Sequence, residues 1–167
     1  MYKRMDALGN PPPIMHLTFG KNPGLYEKWL PFATYIIPAS TLAHRDRQIL
    51  ILRSAFRWRS GYVWAQHVGI SRRFEALSDD EIGALCDDGS DRRWAPAERA
   101  LIDAVDETRT LGEISDPVWK ILAGRFAEDQ LLDLVFTIGQ YCLISTALRS
   151  LRVQLDSGLG LPGWATD

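Results

Sequence analysis

The sequence has little cysteine: Cys86 and Cys142 are the only two in 167 residues. They lie far apart in the chain, and no CxxC pair or Cys/His cluster occurs at the spacing of metal ligands. The sequence therefore predicts neither a metal site nor a disulfide framework. Two isolated thiols are typical of small buried side chains in a reducing compartment, so we expect a cytoplasmic protein.

An excess of positive charge is also absent. Nineteen basic and 21 acidic residues give a formal net charge of -2. Such a chain lacks the positive field that attracts phosphate backbones or anionic lipids, so we expect neither nucleic acid nor membrane as a partner. The stretch "RDRQILILRSAFRWRSG", with five arginines around Phe56 and Trp58, favours nucleic-acid binding, but acidic stretches at 79–80 and 87–91 argue against it.

No long uninterrupted apolar run is present. The most apolar segment, Leu131 to Leu151, is interrupted by Asp133, Gln140 and Arg149, which predicts a core helix rather than a membrane span. The first residues, "MYKRMDALGNPPP", have no apolar stretch after their charges, so they do not resemble a secretion signal. Both observations again favour the cytoplasm.

Sustained alternation of apolar and polar residues is missing too, which leaves no basis for a β-sheet and predicts an all-α fold. Ile49, Leu52 and Phe56 recur at helical spacing and predict an amphipathic helix. Ser78 with Glu81 three residues later is a capping-box signature for another helix.

The domain organisation follows from the prolines and glycines. Four prolines before Gly24 predict an extended N-terminal arm, residues 1–23, followed by one helical domain, 24–156, and a Gly/Pro-rich tail, 157–167. The last helix of the domain is apolar on most of its circumference. Such a helix is buried on several sides, so we expect a second subunit to cover part of it in a homo-oligomer.

The stretch "SGYVWAQHV" carries His67, one of three histidines. On a helix, His67 shares a face with Val63 and Trp64, and with Ser60 one turn earlier. A single histidine near aromatics is more often a hydrogen-bonded core residue than a catalyst, so its spacing alone leaves both roles open.

Five segments, in order, resemble the carboxymuconolactone decarboxylase family, which includes the AhpD-like alkylhydroperoxidases. They are "HRDRQILILRSAFRWRSGYVWAQHVGISRR", "LSDDEIGAL", "ERALIDAVDE", "ISDPVWKIL" and "LVFTIGQYCLISTALRSLRVQLD". The resemblance covers about residues 40 to 156, and "YVWAQHVGISRR" is its most specific part. It implies a compact multi-helix AhpD-like domain that assembles as a trimer or hexamer.

The functional residues of that family transfer only in part. In AhpD-like members, a CxxC pair and a glutamate form a proton relay with the histidine. Matching on His67 places the cysteines at Ser60 and Val63 and the glutamate at Gln48. Serine and valine cannot supply the thiolate and the resolving thiol that peroxide reduction needs, so the resemblance does not extend to dithiol peroxidase activity.

Decarboxylase-type members of the family work without metal or organic cofactor, and none is expected here. Their chemistry implies His67 as general acid/base on a small lactone or aromatic-derived acid. Gln48 would orient the imidazole or bind substrate, and Arg53 or Arg57 would clamp a carboxylate, unless both arginines are solvated or lie at a subunit interface. Tyr62 and Trp64 would wall an apolar pocket, with Ser60 and Val63 beside them, but core packing is the expected role of at least one of these two aromatic residues.

An alternative stays open, in which the chain is a helical oligomer that binds a small molecule without transforming it. The loss of the glutamate and of both cysteines permits this. A His67 packed without access to a cavity would favour it, whereas a His67 beside a cavity with an amide or cationic partner would favour the enzyme.

Overall fold

All regular structure in residues 12–87 and 94–165, the parts of the chain that the computed structural model describes, is helical. The eight α-helices are α1 (Ile14–Phe19), α2 (Pro23–Thr34), α3 (His44–Arg57), α4 (Gly61–Arg73), α5 (Asp79–Ala84), α6 (Pro96–Thr110), α7 (Asp116–Ala123) and α8 (Glu128–Ser150). A π-helical turn, Tyr35–Ala39, extends α2, and a 3₁₀ turn, Gly163–Ala165, lies in the tail. The all-α prediction is confirmed.

Helix α3 lies at the centre and packs against α4, α6 and α8. The four residues from Ile49 to Leu52 have no exposed surface, so the helix is buried around its whole circumference. The predicted helix is present, but the prediction that one of its faces is exposed is wrong, since even Arg53 is fully buried. Some of its polar groups have internal partners: Asp46, for example, accepts two hydrogen bonds from Arg125.

The start of two helices follows local chemistry that the sequence shows. Ser78 and Glu81 form the predicted capping box at α5, in which each side chain bonds the backbone N–H of the other residue. At α4, the Ser60 hydroxyl accepts a hydrogen bond from the Val63 N–H. Ser60 thus fixes where the helix that carries His67 begins.

Helix α8 is long and apolar enough to span a bilayer, but 56% of its most apolar stretch is buried inside the fold. That burial is typical of the core helix of a soluble protein. Asp133, which interrupts its apolar sequence, is held by hydrogen bonds from Tyr35, Ser40 and the backbone and hydroxyl of Thr41. Although burial opposes ionisation, these donors lower the pKa of Asp133, so the carboxylate ties α8 to the π-helical turn.

The N-terminal arm is not extended throughout. Residues 1–11 lie outside the described residues, but Ile14–Phe19 forms α1, which packs against α2. The tail also packs on the domain: Trp164 makes edge-to-face contacts with Phe56 and Trp64. At Gly61 a Cβ atom would come within 2.5 Å of Leu161, so this glycine lets the tail approach α4 closely.

Candidate active site

A cavity of about 320 Å³ lies between α1, α2, α4 and α8. Its walls are mainly apolar side chains, including Met15, Leu30, Ile70, Ile144 and Leu148. The cavity is near the lower end of the ~300–1,000 Å³ range of small-molecule sites. It therefore has the size of a site for a small molecule.

His67 contributes to the wall of this cavity, although only 6% of the residue is exposed. Its Nδ1 lies 3.1 Å from Gln48 Oε1, and its Nε2 lies 2.9 Å from the Tyr141 hydroxyl. Gln48 Oε1 also accepts a hydrogen bond from Ser71. Because that oxygen accepts, Nδ1 carries the imidazole proton, and Nε2 accepts a hydrogen bond from Tyr141.

The imidazole is neutral near pH 7. Burial, together with the positive charges of His44 and Arg47, lowers the pKa of His67 to about 3. Burial likewise raises the pKa of Tyr141, so the phenol keeps its proton. The three residues form a neutral chain that runs from the Tyr141 hydroxyl through His67 to Gln48.

Tyr141 is the site residue that sequence reasoning missed. It lies 74 positions from His67, and the sequence pattern shows it only as one of many apolar residues of α8. One signal could have found it. Tyr141 lies in a helix that was predicted to be buried, and a buried hydroxyl requires a hydrogen-bond partner.

A second polar group lines the cavity where α4 begins. The Tyr62 hydroxyl donates to Asp156 Oδ2 at 2.7 Å, and the Gln66 amide nitrogen also bonds that oxygen. The other Asp156 oxygen accepts from the Ile14 N–H at 2.6 Å, so this carboxylate links α1 and the tail to α4. Burial, together with the hydrogen bond to Asp156, raises the pKa of Tyr62 to about 12.

The structure brings only part of the predicted set together. Tyr62, Val63 and His67 line the cavity, and Gln48 contacts it through His67. Ser60 and Trp64 do not line it: Ser60 caps α4, and Trp64 packs against Trp164 in the tail. Both residues were predicted to contact substrate, and the structure instead gives them structural roles.

Arg53 also needs correction. Its side chain is fully buried, and its guanidinium pairs with Asp106 at 2.5 Å. Two further hydrogen bonds go to the backbone oxygens of Leu85 and Asp87. Neither Arg53 nor any of these partners lines the cavity to which His67 contributes, so Arg53 does not clamp a substrate carboxylate there.

The two cysteines take no part in this site. Both are free thiols, and neither lines the cavity. Burial raises the pKa of Cys86 to about 11, which leaves the thiol protonated and a poor nucleophile. Among the residues described, no group of three or more His, Cys, Asp or Glu side chains is placed to hold a metal ion.

No family model matches the sequence, and no curated protein matches it. Several solved structures do match the fold. One is an AhpD-type antioxidant defence protein of unknown function from Agrobacterium tumefaciens, with 20% identity and a TM-score of 0.76 over 83% of this chain and 95% of that chain.

Two further structures are similar over most of their length. An uncharacterized peroxidase-related protein with an AhpD core, from Ralstonia eutropha, has 14% identity and a TM-score of 0.78 over 93% of this chain and 82% of that chain. A debrominase solved in complex with 2,3,4-tribromopyrrole has 17% identity and a TM-score of 0.75, with coverages of 92% and 82%. These similarities show that the chain has the AhpD-like fold which its sequence resemblance predicts.

Proposed function

We propose that this protein is a cofactor-independent acid/base enzyme that moves protons on a small lactone or aromatic-derived molecule. The observation that carries the proposal is the hydrogen-bonded chain from Tyr141 through His67 to Gln48 at the wall of a cavity of small-molecule size. Such a chain can accept a proton at one end without any residue moving far.

The proposed proton transfers follow from the tautomer of His67, which carries its proton on Nδ1. A substrate O–H or activated C–H gives its proton to the Tyr141 oxygen while the Tyr141 proton passes to His67 Nε2. The imidazolium that forms keeps its Nδ1–H bonded to Gln48 Oε1. A buried imidazolium is unstable, so it returns a proton through Tyr141 to the substrate anion, at the same atom or a neighbouring one.

This scheme needs no thiol. Gln48 cannot relay a proton as a glutamate would, but it fixes the tautomer that leaves Nε2 free to accept. The resemblance to decarboxylase-type proteins and the debrominase among the structural neighbours support an enzyme of this fold that acts on small rings. The absence of a CxxC pair at Ser60 and Val63 argues against the dithiol peroxidase activity of AhpD-like members.

A second candidate is a binding protein without catalysis. Two observations favour it: both His67 nitrogens already have partners inside the protein, and a pKa of about 3 makes the imidazole a weak base. In this case the Tyr141–His67 pair would only orient a ligand.

The two candidates differ in a proton-exchange experiment. A panel of enolisable lactones, carboxymuconolactone among them, is incubated in deuterium oxide, and deuterium incorporation and carbon dioxide release are followed by NMR. We expect the wild type to accelerate exchange or release for at least one compound, and both Tyr141→Phe and His67→Gln to abolish it.

The matched control is Arg72→Gln, which changes an exposed ion pair on the same helix. It should retain the wild-type rate. Exchange that persists in both site variants would rule out the proposed chain, and ligand binding without any exchange would favour the binding protein.

A further inference from the structure

We infer that the side-chain amide of Gln140 binds the carbonyl oxygen of the ligand, so that the cavity selects a ring with a carbonyl group over the same ring without one. The inference rests on the proposed function for the location of the site. It deepens that function, because it assigns the group that holds the substrate carbonyl while the neighbouring carbon exchanges its proton.

The orientation of the Gln140 amide is fixed by a tryptophan. Gln140 lies next to Tyr141 on α8, both residues line the cavity, and only 6% of Gln140 is exposed. The indole N–H of Trp29 donates to Gln140 Oε1 at 3.4 Å. Because an indole nitrogen can only donate, the amide oxygen faces Trp29 and the amide nitrogen is turned away from it.

That amide nitrogen has no acceptor among the residues that the structure describes. A donor in the wall of an apolar cavity is costly to leave without a partner, so the nitrogen favours an acceptor that a ligand brings with it. A carbonyl oxygen is such an acceptor. Among the described residues that line the cavity none is Arg or Lys, so no cation of the wall competes for the same oxygen.

The hydroxyl and amide donors that α2 and α4 contribute to the cavity wall are engaged elsewhere. The Thr34 hydroxyl donates to the Leu30 oxygen within α2. On α4, Tyr62 and Gln66 both donate to Asp156. The Gln140 amide therefore differs from these groups, because its protons remain available to a ligand.

Gln140 and Tyr141 are consecutive on α8 but bond different helices, Trp29 of α2 and His67 of α4. A carbonyl oxygen at Gln140 can thus have its neighbouring carbon at Tyr141. When the Tyr141 oxygen takes the proton of that carbon, the C–H electron pair forms a C=C bond and the carbonyl π pair moves to oxygen, which gives an enolate. The Gln140 N–H donates more strongly to the enolate oxygen than to the carbonyl, so the amide lowers the barrier as well as binding the ligand.

The binding test uses phthalide, a bicyclic lactone that has no enolisable hydrogen, and phthalan, the same ring with a methylene group in place of the carbonyl. Isothermal titration calorimetry near pH 7 measures both. We expect the wild type to bind phthalide about fivefold more tightly than phthalan, and Gln140→Met to bind the two equally. Trp29→Phe should reduce the preference, because Trp29 is the positioning residue that orients the amide.

Infrared spectroscopy separates a hydrogen bond from a structural effect of the substitution. The carbonyl stretch of bound phthalide should lie at a lower frequency in the wild type than in Gln140→Met. Gln154→Met is the matched control, since it makes the same replacement at an exposed residue outside the cavity, and it should keep the wild-type preference and frequency. The melting temperature verifies that Gln140→Met is folded, and the comparison of the two probes in the wild type needs no variant.

Deuterium exchange into 2-coumaranone, an enolisable lactone of similar size, tests the catalytic part. Gln140→Met should lower kcat by about tenfold or more and change KM less, because the lost hydrogen bond is stronger to the enolate than to the carbonyl. Gln154→Met should exchange at the wild-type rate.

Equal affinity of the wild type for phthalide and phthalan overturns the inference, and so does the absence of binding by both probes at millimolar concentration. A carbonyl preference that persists in Gln140→Met also overturns it, because another group then holds the oxygen. Exchange at the same rate in the wild type and Gln140→Met would overturn the catalytic part and leave the proposed function intact. A preference for phthalide that Gln140→Met loses, without exchange into any lactone, would support the carbonyl site and contradict the proposed function.

Discussion

The Tyr141 hydroxyl lies 2.9 Å from His67 Nε2, which joins α8 to α4 across 74 positions of sequence. Both residues are almost fully buried, at 4% and 6% exposure. Replacing Tyr141 with Phe keeps the ring and leaves Nε2 without a donor. We expect a loss of about 1–3 kcal/mol in the free energy of unfolding, measured by urea denaturation. A variant as stable as the wild type would contradict this hydrogen bond.

The free energy of unfolding should depend on pH through the titration of His67. Its folded pKa of about 3 lies below the ordinary value of 6.5, so the unfolded state binds more protons between these limits. Stability should then be fully present above about pH 6.5 and fall as the pH drops toward 3, by at most about 1.4 kcal/mol per pH unit from this group.

His67→Gln should show a shallower acid slope than the wild type in denaturation curves taken at several pH values. His16→Gln is the matched control, because burial also lowers the pKa of His16 but by a smaller shift. Identical slopes for the wild type and His67→Gln would show that the imidazole is not held neutral.

The buried ion pair between Arg53 and Asp106 should matter for folding and not for recognition. Arg53→Met removes four hydrogen bonds from a fully buried side chain, and we expect a cost of about 3–5 kcal/mol. Arg72→Met breaks the exposed pair with Asp79 and should cost less than about 1 kcal/mol. If Arg53→Met folds but binds ligand tenfold more weakly than the wild type, Arg53 contributes to ligand binding and this prediction is wrong.

Self-association is expected through the outward face of α8. Leu132, Phe136 and Leu143 lie at helical spacing there, and each is more than half exposed. We expect the wild type to be a trimer or hexamer by light scattering and Phe136→Glu to have a lower mass, because a buried unpaired carboxylate is costly. Leu111→Glu, at an equally exposed leucine after α6, is the control. A wild-type monomer at micromolar concentration would contradict this prediction.

Cys86 should react slowly in the folded protein. Its pKa of about 11 leaves little thiolate near pH 8, so iodoacetamide should modify Cys86 far faster in guanidinium than in native buffer. Mass spectrometry of the alkylated peptides measures this, and peroxide consumption with dithiothreitol should not exceed that of the reagent alone. Rapid labelling of the native protein together with peroxide turnover would contradict this prediction. It would support a peroxidase activity, against which the missing CxxC pair argues.

The location of the candidate site could be predicted from the sequence, because a histidine within a helical motif is a local feature. His67, Gln48, Tyr62 and Val63 were predicted as neighbours, and the structure places all four in or beside one cavity. Arg53 and Trp64 were misassigned because helical spacing defines a face but not what packs against it. Arg53 points to α6, and Trp64 meets the tail.

The helical fold and the absence of a CxxC pair can be read from the sequence, since periodicity, caps and the spacing of thiols are local properties. The hydrogen-bond partners at the cavity depend instead on packing between distant segments. The donor to His67 comes from α8, and Asp156, which accepts from the Tyr62 hydroxyl, lies beyond the last helix. Such long-range hydrogen bonds have no sequence period, because packing brings the partners together and burial then makes each bond necessary.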